Sequence, residues 1–310
     1  MLKFIAKRLG YMLITLWVIA TITFMLMHIM PGDPLTTGSK KLPEQVRINF
    51  RAKYGLDKSV PEQYLTYMGN LAKGDLGQSM VYPGRDVKQV ITEHTPRSAR
   101  LALQAIALGF TLGCTLGIIA AFNRGRWPDY IVIFIALLGV SIPSFVVAAL
   151  LQWGFTVKFP VLPTTGWGSF KYTVLPTIAL SFSSIATYSR YMRANALDVI
   201  GQDYVLTAKA KGVSKIALVW KHIIRNAILP AITILGPQIA GLMTGSFVIE
   251  SIFSIPGLGA YFVNSVTDRD FTMIMGQTIF VSALYITSLV LVDIVYGLVD
   301  PRIRVTGGKK

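Results

Sequence analysis

The chain has 310 residues, of which 53% are hydrophobic and only 15% are charged, well below the ~25% charged residues of a typical soluble domain. This composition predicts a membrane protein. The formal net charge of +15 would also suit a nucleic-acid binder, but the basic residues are concentrated between long apolar runs. Their placement argues against nucleic acid as a partner and for a lipid bilayer.

Six uncharged runs approach or exceed the ~20 residues that a helix needs to cross the hydrocarbon core of a bilayer. They predict an all-α polytopic membrane protein with six transmembrane helices. The fourth run is the shortest, and we expect its helix to continue past Arg190. The runs cover residues 9–30, 101–123, 130–157, 172–189, 227–249 and 271–292.

Lysine and arginine distribute unevenly between the connecting segments, and this asymmetry predicts the orientation of the helices. Cytoplasmic segments carry an excess of these residues, whereas long loops are largely exempt from the rule. An N-in, C-in arrangement places most of them inside and leaves Lys158, Lys171 and Arg269 in the short outer loops. The cytoplasmic basic residues are then Lys3, Lys7, Arg8, Arg124, Arg126, seven between 190 and 225, and Arg302, Arg304, Lys309 and Lys310.

The first apolar run follows a short basic region, as a secretory signal does. It is longer than the 7–15 residues of a signal's apolar core, and no A-x-A-like cleavage site follows it. We therefore expect an uncleaved N-terminal transmembrane helix at residues 1–30. The remaining predicted divisions are an extracytoplasmic insert at 31–100, a five-helix core at 101–299 with a cytoplasmic loop at 190–226, and a cytoplasmic tail at 300–310.

The insert begins with the sequence PGDP at 31–34, which predicts a sharp end to the first helix. Helical patterning returns at residues 44–54 and 61–71. The sequence GDLG at 74–77 then predicts a turn. A segment of this size indicates a cap on the membrane core rather than an independent enzyme domain.

Two of the apolar runs carry glycines four residues apart. This spacing places them on one helix face, where small side chains allow helices to approach closely in lipid. Two interpretations stay open at this stage: tight packing within the chain, or a sliding face between subunits that opens a pathway. The glycines are Gly109, Gly113 and Gly117 in the second run and Gly241 and Gly245 in the fifth.

No pattern of residues indicates catalysis or a bound cofactor. The chain has no GxxxxGK[ST] loop for phosphate, no HExxH zinc helix and no GxSxG elbow. Its only cysteine is Cys114, and its three histidines lack ligand spacing. Asp293 is the one carboxylate well inside a predicted span; it either pairs with a nearby arginine or serves as a proton or cation site. Glu250 is expected to be an interfacial cap.

The most informative segment covers residues 203–230, between two apolar runs. It is basic and loop-like, and it contains a core of small residues interleaved with lysines. Small side chains allow a close fit to another protein, while lysines favour the inner lipid surface. A plain basic loop that obeys the charge rule is the alternative. The residues of interest are Asp203, Tyr204, Thr207, Ala208, Lys209, Ala210, Lys211 and Gly212.

Several short motifs in a fixed order give the chain a resemblance to a known family. Together they resemble the oligopeptide/dipeptide branch of binding-protein-dependent ABC importer permeases, in particular the first permease subunit. The glutamate that names the family's cytoplasmic EAA loop is absent here, with Leu206 or Thr207 in its place. The motifs are MPGDP at 30–34, YGLD at 54–57, GDLGQS at 74–79, residues 203–212, RNA at 225–227, LP at 229–230, GSFVIE at 245–250, IPGLG at 255–259 and DPR at 300–302.

The resemblance implies a type I ABC importer permease fold in a bacterial or archaeal cytoplasmic membrane. It also implies four kinds of partner: a homologous second permease subunit, two ATPase subunits, an extracytoplasmic substrate-binding protein and a peptide substrate. ATP and Mg would be bound by the ATPase subunits, so this chain would hold no cofactor and catalyse no reaction. Residues 203–215 would form the helix that couples to the ATPases, with Arg124 and Arg126 in a second contact loop.

Three alternatives are considered on the sequence. Permeases of the same type carry nickel chelates, glutathione or short glycans, and no residue here identifies the cargo. A stand-alone secondary transporter would show inverted repeats or several buried charges, neither of which is visible. A membrane-embedded enzyme is disfavoured because catalytic residues are not clustered.

Overall fold

The computed structural model describes the backbone of residues 2–29, 44–82, 84–243 and 245–299, and their side chains except at 2–7, 215 and 293–299. The MPGDP motif and the tail at 300–310 therefore lie outside the described residues, as does the side chain of Asp293. Among the described residues, the only strand-like pairing is an isolated antiparallel bridge between Gln78 and Asp86.

The described chain is otherwise built from α-helices joined by turns, with two π-helical turns at Trp153–Lys158 and Val219–Ile224. The helices are α1 (Leu2–Ile29), α2 (Glu44–Tyr54), α3 (Val60–Ala72), α4 (Val87–Phe122), α5 (Trp127–Ser141), α6 (Ser144–Gln152), α7 (Lys171–Ile200), α8 (Asp203–Ala210), α9 (Lys215–Leu218), α10 (Arg225–Ala227), α11 (Leu229–Met243), α12 (Phe247–Ile252), α13 (Gly259–Thr267) and α14 (Phe271–Val299).

Three helical stretches are long and apolar enough to cross a membrane: Arg8–Ile29, Val87–Phe122 and Phe271–Val292. Two bent helix pairs raise the number to five if each pair is one span. They are Trp127–Ser141 with Ser144–Lys158, bent by 103°, and Ile216–Ala227 with Leu229–Met243, bent by 52°. The described residues thus support three to five spans, and the count of six and the orientation stay predictions.

Proline accounts for the sharper of the two bends. Ile142 adopts an extended conformation with φ −91° and ψ 121°, and Pro143 begins the next helix as its N-cap. A residue before proline is pushed out of the helical region because the proline ring clashes with it. The third predicted run is consequently two helices rather than one.

One helix boundary differs from the sequence prediction and another confirms it, because uncharged runs mark only the apolar part of a helix. The second run was expected to begin at residue 101, but α4 begins at Val87 and includes Pro96 and several charged residues. The fourth helix was expected to continue past Arg190, and α7 does so, ending only at Ile200. Most of the predicted loop at 190–226 is therefore helical.

The described chain divides into two compact units. Unit 1 comprises residues 1–97 and 257–287, and unit 2 comprises residues 98–256 and 288–310. In unit 1, a small core of Val87, Val90, Ile91, Leu258 and Met273 brings the start of α4 against α14. The predicted helices at 44–54 and 61–71 are confirmed as α2 and α3.

A buried carboxylate organises the turn region of unit 1. Asp270 is fully buried and accepts hydrogen bonds from the Ser79 hydroxyl and from the backbone N–H groups of Met80 (3.0 Å), Val81 (3.3 Å) and Met273 (3.1 Å). The bond to Met273 caps the first turn of α14, because the first N–H groups of a helix lack partners within it. Asp270 therefore ties residues 79–81 to the start of α14.

Unit 2 is arranged around α7, whose buried side chains recur along its length. One cluster packs Leu101, Ala148, Leu175 and Ala179 with the segment around α12. A second cluster surrounds the later part of α7 and contains Ala208, one of the residues that the sequence singled out for coupling. We describe this second cluster below and call it the α7–α8 core. Its buried members are Cys114, Ala121, Tyr188, Met192, Ala196, Val205, Ala208, Leu218, Ile223, Ala227 and Ala231.

Candidate coupling surface

The predicted coupling segment contains a short, well-defined helix, α8. Asp203 lies in its first turn, where a carboxylate interacts favourably with the helix dipole. After the helix ends, Gly212 has a φ of +76°, its N–H bonds to the carbonyl of Lys209 (3.1 Å), and the N–H of Val213 bonds to the carbonyl of Ala208 (3.2 Å). This is a Schellman motif, which favours glycine because side chains disfavour the left-handed conformation.

One side of α8 faces the protein's own interior. Val205 and Ala208 are 2% and 7% exposed and belong to the α7–α8 core, where they meet Met192 and Ala196 of α7. Ala208 was expected to take part in coupling; it is buried within its own chain, and the coupling role of the segment stays a prediction. The small side chain of Ala208 allows α8 to approach the helices of its own chain.

The opposite side of α8 is exposed. Every other residue that the sequence singled out in this segment is accessible, and Tyr204 and Leu206 are 43% and 53% exposed. Ile216 and Trp220, which follow α8, are also strongly exposed at 76% and 66%. The accessible predicted residues are Asp203, Tyr204, Thr207, Lys209, Ala210, Lys211 and Gly212.

A side-chain contact ties α8 to the segment that follows it. The side-chain amide of Asn226 donates hydrogen bonds to the Tyr204 hydroxyl (3.0 Å) and to the carbonyl of His222 (2.8 Å). Ile223 and Ala227 are buried in the α7–α8 core, as are Val205 and Ala208 of α8. The helix α8 and the 216–227 segment therefore pack on the same core. We call α8 together with the turn at 123–126 the candidate coupling surface.

The turn at 123–126 is attached to α7 by a buried ion pair. Asp129 is 2% exposed, and Arg193 donates to both of its carboxylate oxygens, from Nε to Oδ1 at 2.5 Å and from Nη2 to Oδ2 at 2.7 Å. The N–H of Gly125 donates to Oδ2 at 3.0 Å. Bidentate guanidinium–carboxylate pairs fix orientation as well as distance. The pair therefore fixes the position of the turn relative to α7.

Arg124 and Arg126 lie on this turn, and both are exposed. Gly125 between them has a φ of +73°, and the N–H of Arg126 bonds to the carbonyl of Asn123 at 2.9 Å. Ala121, just before the turn, is buried in the α7–α8 core. The turn at 123–126 and α8 thus adjoin the same α7–α8 core, although their exposed side chains lie on separate elements.

The predicted glycine faces differ in what they contact. An added Cβ would lie 2.5 Å from the Ser184 Cβ at Gly109, 2.6 Å from the Tyr188 Cβ at Gly113, and 2.7 Å from the Met192 Cβ at Gly117. All three glycines therefore pack against α7, where a methyl group would not fit. This geometry favours tight packing within the chain over a sliding face between subunits.

The second pair of glycines does not lie on one face of a single helix. Gly241 lies in α11, but Gly245 follows the end of that helix with a φ of +87°. A Cβ at Gly241 would meet no described atom within 4 Å, apart from the neighbouring backbone of its own helix. The four-residue spacing was misleading here because the helix ends before the second glycine.

Glu250 also differs from its predicted role as an interfacial cap. It is 2% exposed and accepts a hydrogen bond from the hydroxyl of Ser98 at 2.6 Å, which joins α12 to α4 within unit 2. The two residues are far apart in sequence, so no local pattern indicates their contact. Glu250 is a buried structural acceptor in this arrangement.

Unit 1 contains a cavity of about 390 Å³ that the sequence did not predict. Its walls include Phe24 and His28 of α1, Tyr67 of α3 and Thr272 of α14. The Tyr67 hydroxyl has no hydrogen-bond partner among the described residues, and its burial raises the pKa of Tyr67 to about 12. No sequence pattern indicates this cavity, because separate elements supply its walls.

Comparison with known proteins identifies the family. Residues 113–305 match the binding-protein-dependent transport system inner membrane component family, and residues 1–83 match the N-terminal region of such membrane components. The chain belongs to this family. The first match covers every residue of the candidate coupling surface.

Individual members of the family are similar over nearly their whole length. The chain is 41% identical over 304 residues to the dipeptide transport system permease protein DppB of Lactococcus lactis, covering 98% of this chain and all of that protein. It is 42% identical over 306 residues to the oligopeptide transport system permease protein OppB of Haemophilus influenzae, again covering 98% and 100%. The corresponding OppB of Escherichia coli is 39% identical over 306 residues, with the same coverage.

The resemblance deduced from short motifs is therefore confirmed at the level of the family. Sequence reasoning on this permease nevertheless missed Asp129 and Arg193, the residues that fix the turn relative to α7. The sequence offered only a weak signal: Asp129 lies just before the third apolar run, and Arg193 lies beyond the end of the fourth. Such a pair indicates a contact only after the helices are known to be neighbours.

Proposed function

We propose that this chain is the transmembrane permease subunit of an ATP-driven importer of dipeptides or oligopeptides. The observation that carries the proposal is its identity of 41% and 42% over 98% of its length to a dipeptide permease and to an oligopeptide permease. Family membership supports a location in the inner membrane. The chain would form half of the pathway, with a homologous second permease forming the other half.

ATP hydrolysis would occur in two partner ATPase subunits, which would also bind the ATP and Mg. An extracytoplasmic binding protein would deliver the peptide. The exposed side of α8 would fit a groove of one ATPase subunit, with Thr207, Ala210 and Lys211 in contact. The turn bearing Arg124 and Arg126 would form the second contact, so that both contact elements face the inner side of the membrane.

To act as a lever between the ATPase and the membrane helices, α8 and the elements packed on it must move as one rigid unit. A flexible loop would absorb the force that the ATPase applies. Three features support rigidity: burial of Val205 and Ala208, the hydrogen bond from Asn226 to Tyr204, and the Asp129–Arg193 pair. Movement of α8 would pass directly to α7, since only Gly201 and Gln202 separate the two helices. Switching would then depend on the ATPase binding two states of this lever unequally.

The test is ATP-dependent peptide uptake by the complete complex in proteoliposomes, with complexes lacking this chain as the control. Uptake of a labelled dipeptide or oligopeptide that requires ATP and this chain is the expected result. Uptake driven by an ion gradient without ATP would instead identify a secondary transporter. Uptake of nickel chelates, glutathione or short glycans in place of peptides would keep the permease role and replace the cargo.

A further inference from the structure

One face of the second half of α7 carries polar side chains that are accessible. Ser183, Arg190 and Tyr191 are exposed, and Thr187 is half-buried. Residues three, four and seven positions apart share a helix face, because each residue turns the helix by 100°. The same face continues toward the end of α7. We call it the α7 stripe, and its members are Ser183, Thr187, Arg190, Tyr191, Ala194 and Asp198.

The packing of α7 on α4 places this stripe at the depth of a membrane span. Gly109 faces Ser184, and Gly117 faces Met192. This part of α4 lies within the helix Val87–Phe122, which is apolar and long enough to cross a bilayer. Residues 183–188 of α7 therefore run beside the interior of a span. Arg190, which was expected to be cytoplasmic, lies level with Gly117, within the last turns of that span.

Lipid is an unfavourable neighbour for this face. Arg190 is exposed and forms no ion pair with any described residue, and a charged side chain within hydrocarbon is costly. The accessible face of α5 in the same unit has the opposite character. There Phe134, Leu137 and Val140 are 60%, 56% and 56% exposed, which is the pattern expected for contact with lipid or with an apolar partner.

The chemistry of the stripe suits a hydrated solute with carboxylate and amide groups. The Thr187 hydroxyl donates to the carbonyl of Ser183 at 2.9 Å, which leaves its oxygen available as an acceptor. The Arg190 guanidinium can bind a carboxylate through two parallel hydrogen bonds. A short peptide presents amide N–H groups to such acceptors and a terminal carboxylate to such a cation.

We infer that the α7 stripe lines the water-filled path of the solute, and that Arg190 binds a carboxylate of the passing peptide. This inference rests on the proposed function and names the surface at which that function takes place. The carboxylate has two sources in a peptide, the C-terminus and an acidic side chain. The C-terminus is the common feature of all peptides, so we assign Arg190 to it.

Thiol accessibility tests the lining without relying on transport. The buried native thiol is removed by Cys114→Ser, and Ser183→Cys or Thr187→Cys is added in the complete complex in proteoliposomes. Matched controls are Phe134→Cys and Leu137→Cys on α5. Modification by a charged, membrane-impermeant thiosulfonate requires a hydrated thiolate, so the stripe positions should react at least about tenfold faster than the controls.

A saturating dipeptide should slow the reaction at Ser183→Cys and Thr187→Cys and leave the α5 controls unchanged. Reaction rates at the stripe that match those on α5 in every nucleotide state would overturn the inference and would show that the second permease or lipid covers the stripe. This readout is independent of the proposed function. If the unsubstituted complex assembles but imports no peptide, the proposed function itself fails.

A second experiment tests Arg190 with Arg190→Gln, using Lys171→Gln at the other end of α7 as the matched control. Arg190→Gln should raise the KM for a neutral dipeptide about tenfold, as expected for the loss of a bidentate ionic contact, whereas Lys171→Gln should not. A C-terminally amidated dipeptide should be transported equally by both variants. If an acidic side chain is the true partner, only acidic peptides will be affected. An unchanged KM for all peptides would overturn the assignment of Arg190 as the carboxylate-binding residue. The thiol-accessibility experiment would then decide alone whether the α7 stripe lines the path.

Discussion

Two buried aspartates, one in each unit, are compensated in different ways. Asp129 in unit 2 depends mainly on one cation, because Arg193 supplies two of its three hydrogen bonds within the described residues and Arg124 adds only a smaller electrostatic attraction. Asp270 in unit 1 has no cation among its recorded donors. A hydroxyl and three backbone N–H groups surround it instead.

The difference determines how each site should respond to mutation. A carboxylate with one cationic partner becomes an uncompensated buried charge when that partner is removed, which is among the costliest changes in a protein interior. A carboxylate with several neutral donors loses only a fraction of its stabilisation when one donor is removed. Unit 2 therefore has one critical contact at its candidate coupling surface, whereas the Asp270 site of unit 1 has several shared contacts.

The largest expected effect follows from Arg193→Met, which leaves Asp129 buried without its cation. We expect a loss of about 3 kcal/mol in the free energy of unfolding, at the lower end of the range because Arg193 is partly exposed. Thermal unfolding of the purified complex in detergent measures the change. Arg190→Met, three residues away and exposed, is the matched control and should have little effect. Equal unfolding midpoints for the two variants would show that the pair does not stabilise the fold.

The double variant Asp129→Leu with Arg193→Met sharpens this result. Replacing both members of a buried ion pair by apolar residues is often close to neutral, because the desolvation penalty disappears together with the attraction. We expect the double variant to recover most of the stability that Arg193→Met loses. A double variant less stable than Arg193→Met would indicate that Asp129 mainly supports Gly125 and the turn rather than Arg193.

For unit 1, Asp270→Ala removes the anchor of residues 79–81 and the cap of α14 together. The expected loss is about 2 kcal/mol, as for a helix cap combined with other buried hydrogen bonds. Asp268→Ala, two residues earlier, is the control. Because the affected turn contains accessible backbone, limited proteolysis near residue 79 should accelerate in Asp270→Ala and not in the control. Unchanged proteolysis and stability would contradict the anchoring role.

The smallest effect is expected for Ser79→Ala, which removes one of the four described donors to Asp270. It also removes the acceptor of the Tyr82 N–H (2.8 Å) and Val81 N–H (3.2 Å), and this turn is partly accessible to water, which can replace that acceptor. A single buried hydrogen bond contributes about 1 kcal/mol, and the backbone donors of Met80, Val81 and Met273 remain. The thermal midpoint should fall by less than in Asp270→Ala. A loss as large as that of Asp270→Ala would mean that the hydroxyl alone holds the carboxylate, and the contrast between the two aspartates would disappear.

Local structure was largely predictable from the sequence. The patterning at 44–54 coincides with α2, and GDLG at 74–77 forms a turn with positive φ at Gly74 and Gly77. The break between α5 and α6 at Pro143 was not predicted, although proline is a local signal for it. Each of these features depends on residues close together in the chain. The 103° angle at the Pro143 break was not predictable, because it depends on packing against other helices.

The candidate coupling surface was predictable in position but not in orientation. Small residues at 207–212 indicated a close contact, but they do not indicate which side of α8 contacts its own chain. Ala208 lies on the buried side and Ala210 on the exposed side, and both are small residues that suit either environment. The Asp129–Arg193 contact spans 64 residues of sequence, so no local periodicity could reveal it.

We propose that the exposed side of α8 transmits ATP hydrolysis to the permease, and Ala210→Arg tests this proposal. Ala210 is exposed with helical backbone, so arginine fits there without strain, whereas Gly212→Arg would force a left-handed conformation. Ser169→Arg, in the exposed loop before α7, is the matched control. Peptide-stimulated ATP hydrolysis and uptake are measured in the reconstituted complex. If α8 couples the ATPase to the permease, both activities collapse in Ala210→Arg, while the permease remains folded and the control stays active. Normal hydrolysis and uptake in Ala210→Arg would show that this side of α8 is not the coupling surface.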